Sequence, residues 1–367
     1  MKISIVCLAS RSGGGLAILK DLFDYAKEVD EENCWQFLLS DQEIGESTTR
    51  IEIVRTTPHY KGWKSRIWAE LTTARRALRD FDPDVVLSLQ NIDTPARGRR
   101  PLAIYMHQAL PFQTDYKLSP IKAGERELAW RQYILRWPIL FSIRRSVITF
   151  VQTKWLANSL NQLGQHGKTV VIGHTIASDQ LNPASPAVKP KQFFYPAAGT
   201  SYKNHRTLHL ALRILNGKGI ELTGKIAVTL TKEQLIEITG LDPSRELQWY
   251  RPLGWIEPEQ VLQEYSRSIL VFPSLVESLG LPLYEARSLG IPIVAGDTGF
   301  GREALEKYAN VSWFNTTDPT SLAEAMVHSL TNPSLGFVAQ TQELQKEEPW
   351  KLMLNELDRV CRSRKNE

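Results

Sequence analysis

The sequence predicts an α/β protein made of two doubly wound, parallel-sheet domains. Short β-branched runs alternate with longer segments of helical period along most of the chain, the pattern of parallel strands covered by helices on both faces. A polar, Pro-rich stretch, SDQLNPASPAVKPK, interrupts that alternation, which restarts beyond it. A length of 367 residues suits two domains of ordinary size.

In the first half the strands are expected at Ile3–Ala9, Trp35–Leu39, Ile51–Thr56, Asp84–Leu89, Leu102–His107, Val147–Gln152 and Thr169–Ile172. Helices between them are expected at Leu16–Glu28, Lys64–Arg79, Ile121–Ile143 and Lys154–Leu163. After the linker, strands are expected at Gln192–Ala197, Lys225–Thr229, Leu247–Tyr250, Ile269–Phe272, Pro292–Ala295 and Val311–Phe314. Helices there fall at Asn204–Leu215, Glu257–Ser266, Leu281–Leu289 and Pro319–Leu330. A last helix, Glu343–Arg364, has Leu352, Met353, Leu357 and Val360 on one stripe and no strand after it, so it is expected to pack back on the first domain. The expected boundaries are 1–175, a linker at 176–190, and 191–342. Two facing domains of this kind enclose a deep cleft at the carboxyl ends of their sheets, where ligands of open α/β sheets bind.

Composition narrows the function classes. Apolar residues make up 42% and charged residues 23%, and the Gly and Pro are dispersed, which excludes disordered and collagen-like chains. The longest apolar runs, such as Ile269 to Pro273 and Trp137 to Phe141, are far short of the roughly 20 residues of a membrane-spanning helix. The N-terminal MKISIVCLASRSGGG reads as a strand and a Gly turn rather than a signal peptide. The 3 Cys form neither a disulfide framework nor a zinc pattern, so a reducing, cytoplasmic setting is expected.

The most specific stretch is PSLVESLGLPLYEARSLGIPIVAGD, residues 273–297. It sets Glu277 before a Gly280 turn and a helix start at Leu281, with Glu285 about one turn into that helix. Carboxylates accept hydrogen bonds from sugar hydroxyls, and the free backbone N–H groups of a helix start attract a phosphate. That pairing suits a sugar attached to a diphosphate.

On these residues the chain resembles the retaining glycosyltransferases of family 4, which have the GT-B fold of two Rossmann-like domains. Their signature of Glu, Ser or Gly, Phe, Gly, Leu, then Pro and a second Glu followed by Ala is matched by Glu277, Ser278, Gly280, Leu281, Pro282, Glu285 and Ala286, with Leu279 in place of the aromatic. The resemblance implies that Glu277 faces the donor sugar, that Gly280 and Leu281 present N–H groups to the diphosphate, that Glu285 binds the ribose, and that Ser278 belongs to the donor site. It also sets Gly254, Trp255 and Ile256 beside the nucleotide base.

FYPAAGTSYKNHRTL, residues 193–207, places Lys203 in the loop after the first strand of the second domain, where an ammonium can neutralise a leaving diphosphate without a metal. The resembled family often carries Lys followed by Gly or Asn here, which Lys203–Asn204 matches, and many members have an Arg slightly earlier, where this chain has Gly199, Thr200 and Ser201. Either Ser201 or Thr200 donates a hydrogen bond in its place, or Arg206 or another cation substitutes. In the first half, SRSGGGL joins the first strand to the first helix, and Gly14 and Gly15 let a ligand approach the backbone, although a tight turn needs the same residues. The spacing is not the dinucleotide-binding GxGxxG, and no acid ends the second strand, which disfavours a nicotinamide dehydrogenase. His107 ends a strand, where it can hydrogen-bond a sugar hydroxyl; a lone His is commonly structural, and the family's His at this point is what assigns the role.

Two signals are discounted. Asp82-Pro-Asp84 spells a metal-binding Asp-x-Asp but precedes its strand instead of following it. His205 and His209 have zinc-helix spacing, yet Arg206 stands where a Glu would follow and no third ligand is evident. Neither a metal nor another cofactor is expected.

Charge is unevenly divided: residues 1–170 hold 24 Lys and Arg against 18 Asp and Glu, and residues 171–367 hold 20 against 22. The surplus lies in Arg55–Arg79, with Tyr60, Trp63 and Trp68, and in Arg126–Arg145, with Trp130, Tyr133, Trp137 and Phe141. Cations among aromatics suit an anionic membrane surface, and equally a solvated face over a core stripe. No nucleic-acid module is recognisable. The expectation is a retaining, metal-independent, nucleotide-sugar-dependent hexosyltransferase acting on a glycan or lipid-linked glycan in lipopolysaccharide, O-antigen, capsule or exopolysaccharide synthesis, at the inner face of the membrane. The alternatives are a GT-B nucleotide-sugar epimerase and a catalytically silent sugar-nucleotide-binding partner.

Overall fold

Alternation of buried strands and one-sided helices generates two parallel sheets. The structure, a computed structural model, describes residues 1–10, 13–56, 67–114, 116–122, 124–164, 169–174, 190, 192–220, 222, 224–331 and 348–365. Positions 176–189 of the expected linker, Lys64 with Tyr60 and Trp63, and positions 343–347 of the last expected helix lie outside the described residues. The chain divides into a first unit of Met1–Gln113, Leu128–Thr175 and Gln345–Glu367 and a second of Thr114–Glu127 and Ile176–Leu344.

The first unit has strands β1 (Lys2–Cys7), β2 (Cys34–Leu39), β3 (Ile51–Arg55), β4 (Val85–Ser88), β5 (Leu102–Met106), β6 (Ile148–Val151) and β7 (Thr169–Val171). They form one parallel sheet in the order β3-β2-β1-β4-β5-β6-β7. Its central strands are apolar on both faces because helices cover both, as the unbroken buried runs of β4 and β5 require. Leu19, Leu22, Phe23 and Ala26 give the helix Gly14–Glu28 its core stripe.

The second unit has β8 (Gln192–Tyr195), β9 (Ile226–Val228), β10 (Tyr250–Pro252), β11 (Ser268–Phe272), β12 (Ile293–Gly296) and β13 (Val311–Phe314), ordered β10-β9-β8-β11-β12-β13. In the helix His205–Gly217, Leu208, Ala211, Leu212 and Leu215 face the core.

Four elements differ from the sequence expectation. The long helix expected over Ile121–Ile143 is two helices, Arg126–Tyr133 and Arg136–Arg145. Breaking there puts Pro138 in a first turn, where its missing N–H costs nothing, instead of mid-helix. The strand expected at Leu247–Tyr250 begins only at Tyr250, after a single 3-10 turn over Leu247–Trp249. Glu246 ties down that turn by accepting from the Asp242 N–H and from Arg213. The helix Lys232–Thr239 was not expected, although the Thr231–Gln234 capping box and the left-handed Gly240 are its start and stop signals. The short helix Gly299–Ala304 hides behind two glycines and starts where the Thr298 hydroxyl accepts from the Gly301 N–H.

The last helix, Pro349–Lys365, belongs to the first unit. Trp350, Met353 and Leu357 are buried in the same core cluster as Trp35, Phe37 and Tyr105, and Leu352 and Val360 pack against it. The Trp350 indole donates to Asp21 Oδ2 at 2.9 Å, and its ring lies 5.5 Å from that of Tyr105. Leu357→Ala is expected to destabilise the first unit by about 2–5 kcal/mol through lost burial and a cavity. Urea unfolding checks this, and an unchanged midpoint would show that the helix adds nothing to that core.

Candidate active site

In each sheet the strand order reverses once, between β8 and β11 in the second and between β1 and β4 in the first. The carboxyl edge at such a reversal is open, because the connections leave it on opposite faces, and it is where open parallel sheets bind ligands.

In the second unit the loop after β8 closes with a 3-10 turn, Ser201–Lys203, and then Asn204 at φ 60°, a left-handed conformation that Asn tolerates. The Asn204 carboxamide donates to the carbonyls of Pro273, at 3.1 Å, and Thr316, at 2.9 Å, joining the loops that follow β8, β11 and β13. The Leu275 N–H donates to the Tyr202 carbonyl at 2.8 Å, and the buried Tyr195 hydroxyl to the Lys203 carbonyl at 2.6 Å. Backbone so fixed sets the point from which the Lys203 side chain leaves the loop. Its ammonium meets Glu277 Oε1 at 2.5 Å, and the Ser274 hydroxyl donates to the same oxygen at 2.5 Å. The two charged side chains are 17% and 14% exposed, so their attraction is stronger than at an open surface. Glu277 Oε2 has no hydrogen-bond partner among the described residues.

Two hydroxyls lie three and two residues before Lys203 in the chain. Thr200 Oγ1 and Ser201 Oγ are buried without hydrogen-bond partners, at the place where the resembled family often has an Arg. A buried polar atom left unpaired costs free energy, so such atoms mark places where a ligand can bind. Arg206, the other candidate substitute, is exposed, and its charge acts on the Glu125 carboxylate.

Gly280 sits at φ 75° and caps the helix Leu281–Ser288. The N–H groups of Gly280 and Leu281 have no acceptor among the described residues, and Pro282 has none to offer. They form a donor pair on the positive end of the helix dipole. Glu285, in the same helix, is half-buried, and its Oε2 accepts from the Tyr265 hydroxyl at 2.8 Å. Burial raises its carboxyl above the usual range, and the Tyr265 hydrogen bond opposes that shift. Ser278 is half-buried between Glu277 and this helix. Gly254, at φ 68°, turns the chain just after β10, where Trp255 is 78% exposed and Ile256 is half-buried. These residues share the carboxyl edge of the sheet, two strand positions from β8.

In the first unit Gly13, at φ 69°, starts the first helix. A Cβ on Gly15 would lie 2.7 Å from Ser10 Oγ and 3.2 Å from His107 Nε2, so a side chain there would displace Ser10 and crowd the His107 ring. Around Gly14 there is open space. The His107 N–H donates to Asn91 Oδ1 at 2.8 Å, and Asn91 Nδ2 lies 3.3 Å from His107 Nε2. With Nε2 accepting, the ring proton sits on Nδ1, a buried donor with no hydrogen-bond partner. Burial pushes the imidazole pKa from 6.5 down to about 4.

Asn91, Ser274, Asn204 and Tyr265 were not singled out as site residues from the sequence. Asn91 and Asn204 had one signal, an Asn just after a strand or turn, where left-handed backbone is needed. The discounted motifs have other employment. Asp82 ends a helix at φ 48° and pairs with Arg100, while Asp84 accepts from the Lys2 N–H at 2.9 Å, both ahead of β4. His205 Nε2 lies 3.1 Å from the Ala198 carbonyl, and His209 lies 3.2 Å from Glu246. Among the described residues no group of three or more His, Cys, Asp or Glu is placed to hold a metal ion.

His107 is expected to stay neutral until the pH approaches about 4. The sign follows from the lowered pKa: stability tied to the neutral ring is full above 6.5 and is lost as the pH falls towards about 4. NMR titration of the ring checks this, and a midpoint near 6.5 would contradict the buried environment.

Residues 179–346 match the family model for "Glycosyl transferases group 1". No curated protein matches the sequence. Sucrose-phosphate synthase from Thermosynechococcus elongatus superposes with a TM-score of 0.74 at 16% identity, covering 98% of each chain. The lipopolysaccharide outer core galactosyltransferase WaaB gives 0.66 at 15% identity over 97% of this chain and 98% of its own. Anabaena HepE in complex with UDP-glucose gives 0.64 at 13% identity over 99% and 98%. UDP-N-acetylglucosamine 2-epimerases share the fold at lower TM-scores, 0.57 and 0.55. The fold is therefore GT-B, and the stretch carrying Lys203, Glu277, Gly280 and Glu285 is the one that matches glycosyl transferases group 1.

Proposed function

We propose that the protein is a retaining, metal-independent glycosyltransferase of the family 4 type, moving a hexose from a nucleoside diphosphate to a glycan or lipid-linked glycan. The observation that carries this reading is the Lys203–Glu277 pair at the strand-order reversal of the second sheet, beside the free N–H groups of Gly280 and Leu281. In transfer the glycosidic bond to the diphosphate breaks, and negative charge grows on the departing phosphate oxygen. Lys203 and the two N–H groups supply fixed positive potential for that charge, and fixed donors need no reorganisation at the moment of reaction. The unpartnered hydroxyls of Thr200 and Ser201 add neutral donors where an Arg is common in the resembled family. Glu277 Oε2 is open to a sugar hydroxyl, and Glu285 suits a ribose diol.

His107, neutral and with a buried Nδ1 donor, fits hydrogen bonding to a sugar rather than charge neutralisation. Retention and a polysaccharide-type acceptor rest on the family resemblance; WaaB, similar in fold, is by name a lipopolysaccharide galactosyltransferase. An epimerase is the runner-up, since epimerases of a UDP-sugar share the fold.

Glu277→Ala and Lys203→Ala are each expected to lower kcat by about a hundredfold or more, the scale of removing a fixed electrostatic contact to a transition state, with thermal melting preserved. Full transfer by Glu277→Ala would overturn the site assignment. A thermal-shift series with UDP, GDP and ADP identifies the base, and incubating the donor sugar without acceptor separates the readings, because an epimerase alone converts it.

A further inference from the structure

We propose that the first unit docks on an anionic lipid bilayer through the outer face of the helices Arg126–Tyr133 and Arg136–Arg145. Trp130, Ile134, Trp137 and Phe141 are 53%, 51%, 70% and 58% exposed. Trp130 and Ile134 stand four residues apart at the end of the first helix, and Trp137 and Phe141 four apart on the second. The opposite side of the same segment already has its core: Ile139, Leu140 and Ile143 are buried in a cluster with Leu102, Ile104 and Leu156. A helix that only covers a sheet needs one apolar face, and this segment has two.

The occupant is indicated by charge and by residue type. The two helices carry five Arg (Arg126, Arg131, Arg136, Arg144 and Arg145) against one acid, Glu127 in the first turn, and Arg145 also pairs with Asp93 at 3.5 Å. Arg145 lies 5.3 Å over the Phe141 ring, and Arg136 is half-buried with no acidic partner among the described residues. A second copy of the chain seated on this stripe would set Arg against Arg, which like-charge repulsion opposes. An anionic surface meets the same arginines favourably, and Trp rings beside cations belong at the level of lipid headgroups. The helix ending at Phe81 repeats the pairing in the same unit. Ile67, Trp68 and Leu71 are exposed, and beyond them Arg75, Arg76 and Arg79 line a hollow of about 370 Å³ with Arg100. The exposed Trp130, Ile134, Trp137 and Phe141 all belong to the first unit, and the inference goes beyond the catalytic reading; it would bring the enzyme to a lipid-linked acceptor.

The test is flotation of the full chain with vesicles of phosphatidylcholine alone and of phosphatidylcholine mixed with phosphatidylglycerol. Binding is expected only to the mixed vesicles and should fall with salt, since each basic side chain at an anionic surface is worth about fivefold in partition. Trp130→Ser with Trp137→Ser should weaken it by roughly tenfold or more, with melting temperature and nucleotide-induced thermal shift unchanged. Absence of flotation with mixed vesicles overturns the proposal, as does a double variant that floats like the unsubstituted protein. A chain that self-associates through the stripe, becomes monomeric in the double variant and ignores vesicles would assign the face to a second copy. Nucleotide binding is read separately, so a failure here leaves the transferase reading standing, and the reverse.

Discussion

The candidate site of the second unit depends on one buried side chain, the carboxamide of Asn204. By donating to the carbonyls of Pro273 and Thr316, it fastens three loops at the carboxyl edge of the sheet, those after β8, β11 and β13. Lys203 precedes it and Glu277 lies four residues beyond Pro273, so this fastening sets the ammonium against the carboxylate. A site that must neutralise charge at a chosen point gains from positions fixed beforehand, because mobile groups would have to reorganise during the reaction. The left-handed backbone at Asn204 is held by the same hydrogen bonds.

The first unit solves a related problem with neutral groups. Gly15 brings a helix start against His107, and Asn91 holds both the backbone and the ring of that residue. Burial keeps the imidazole uncharged, so this unit offers hydrogen bonds where the second offers charge. The basic surplus of the first half lies elsewhere, on helical faces with exposed Trp and Phe. Net charge along the chain thus says little about the groups of the candidate site and more about an outer surface. Among the described residues no helix is long and apolar enough to cross a membrane.

Most of the fold was legible because its two signals are local. All thirteen strands of the described residues overlap an expected strand, counting β10, which is shifted to Tyr250–Pro252. The misses are equally local in cause. The Thr231 capping box precedes a short helix with a weak apolar stripe, glycines mask the helix Gly299–Ala304, and Pro138 interrupts an otherwise continuous helical period. The separate helices around Pro138 carry the exposed Trp130, Trp137 and Phe141.

The sequence by itself determined the α/β class and the motif from Glu277 to Glu285, because periodicity and a strand-turn-helix signature are written in neighbouring residues. Only the tertiary structure decided which distant groups meet: Lys203 with Glu277 across 74 residues, Asn204 with Thr316 across 112, and Gly15 with His107. It also left Thr200 and Ser201 as buried hydroxyls without hydrogen-bond partners, which no spacing could announce. The physical reason is common to all of these. Contact, burial and the pKa of a side chain are set by what the fold brings around it, and parallel sheets assemble that environment from strands far apart in the chain.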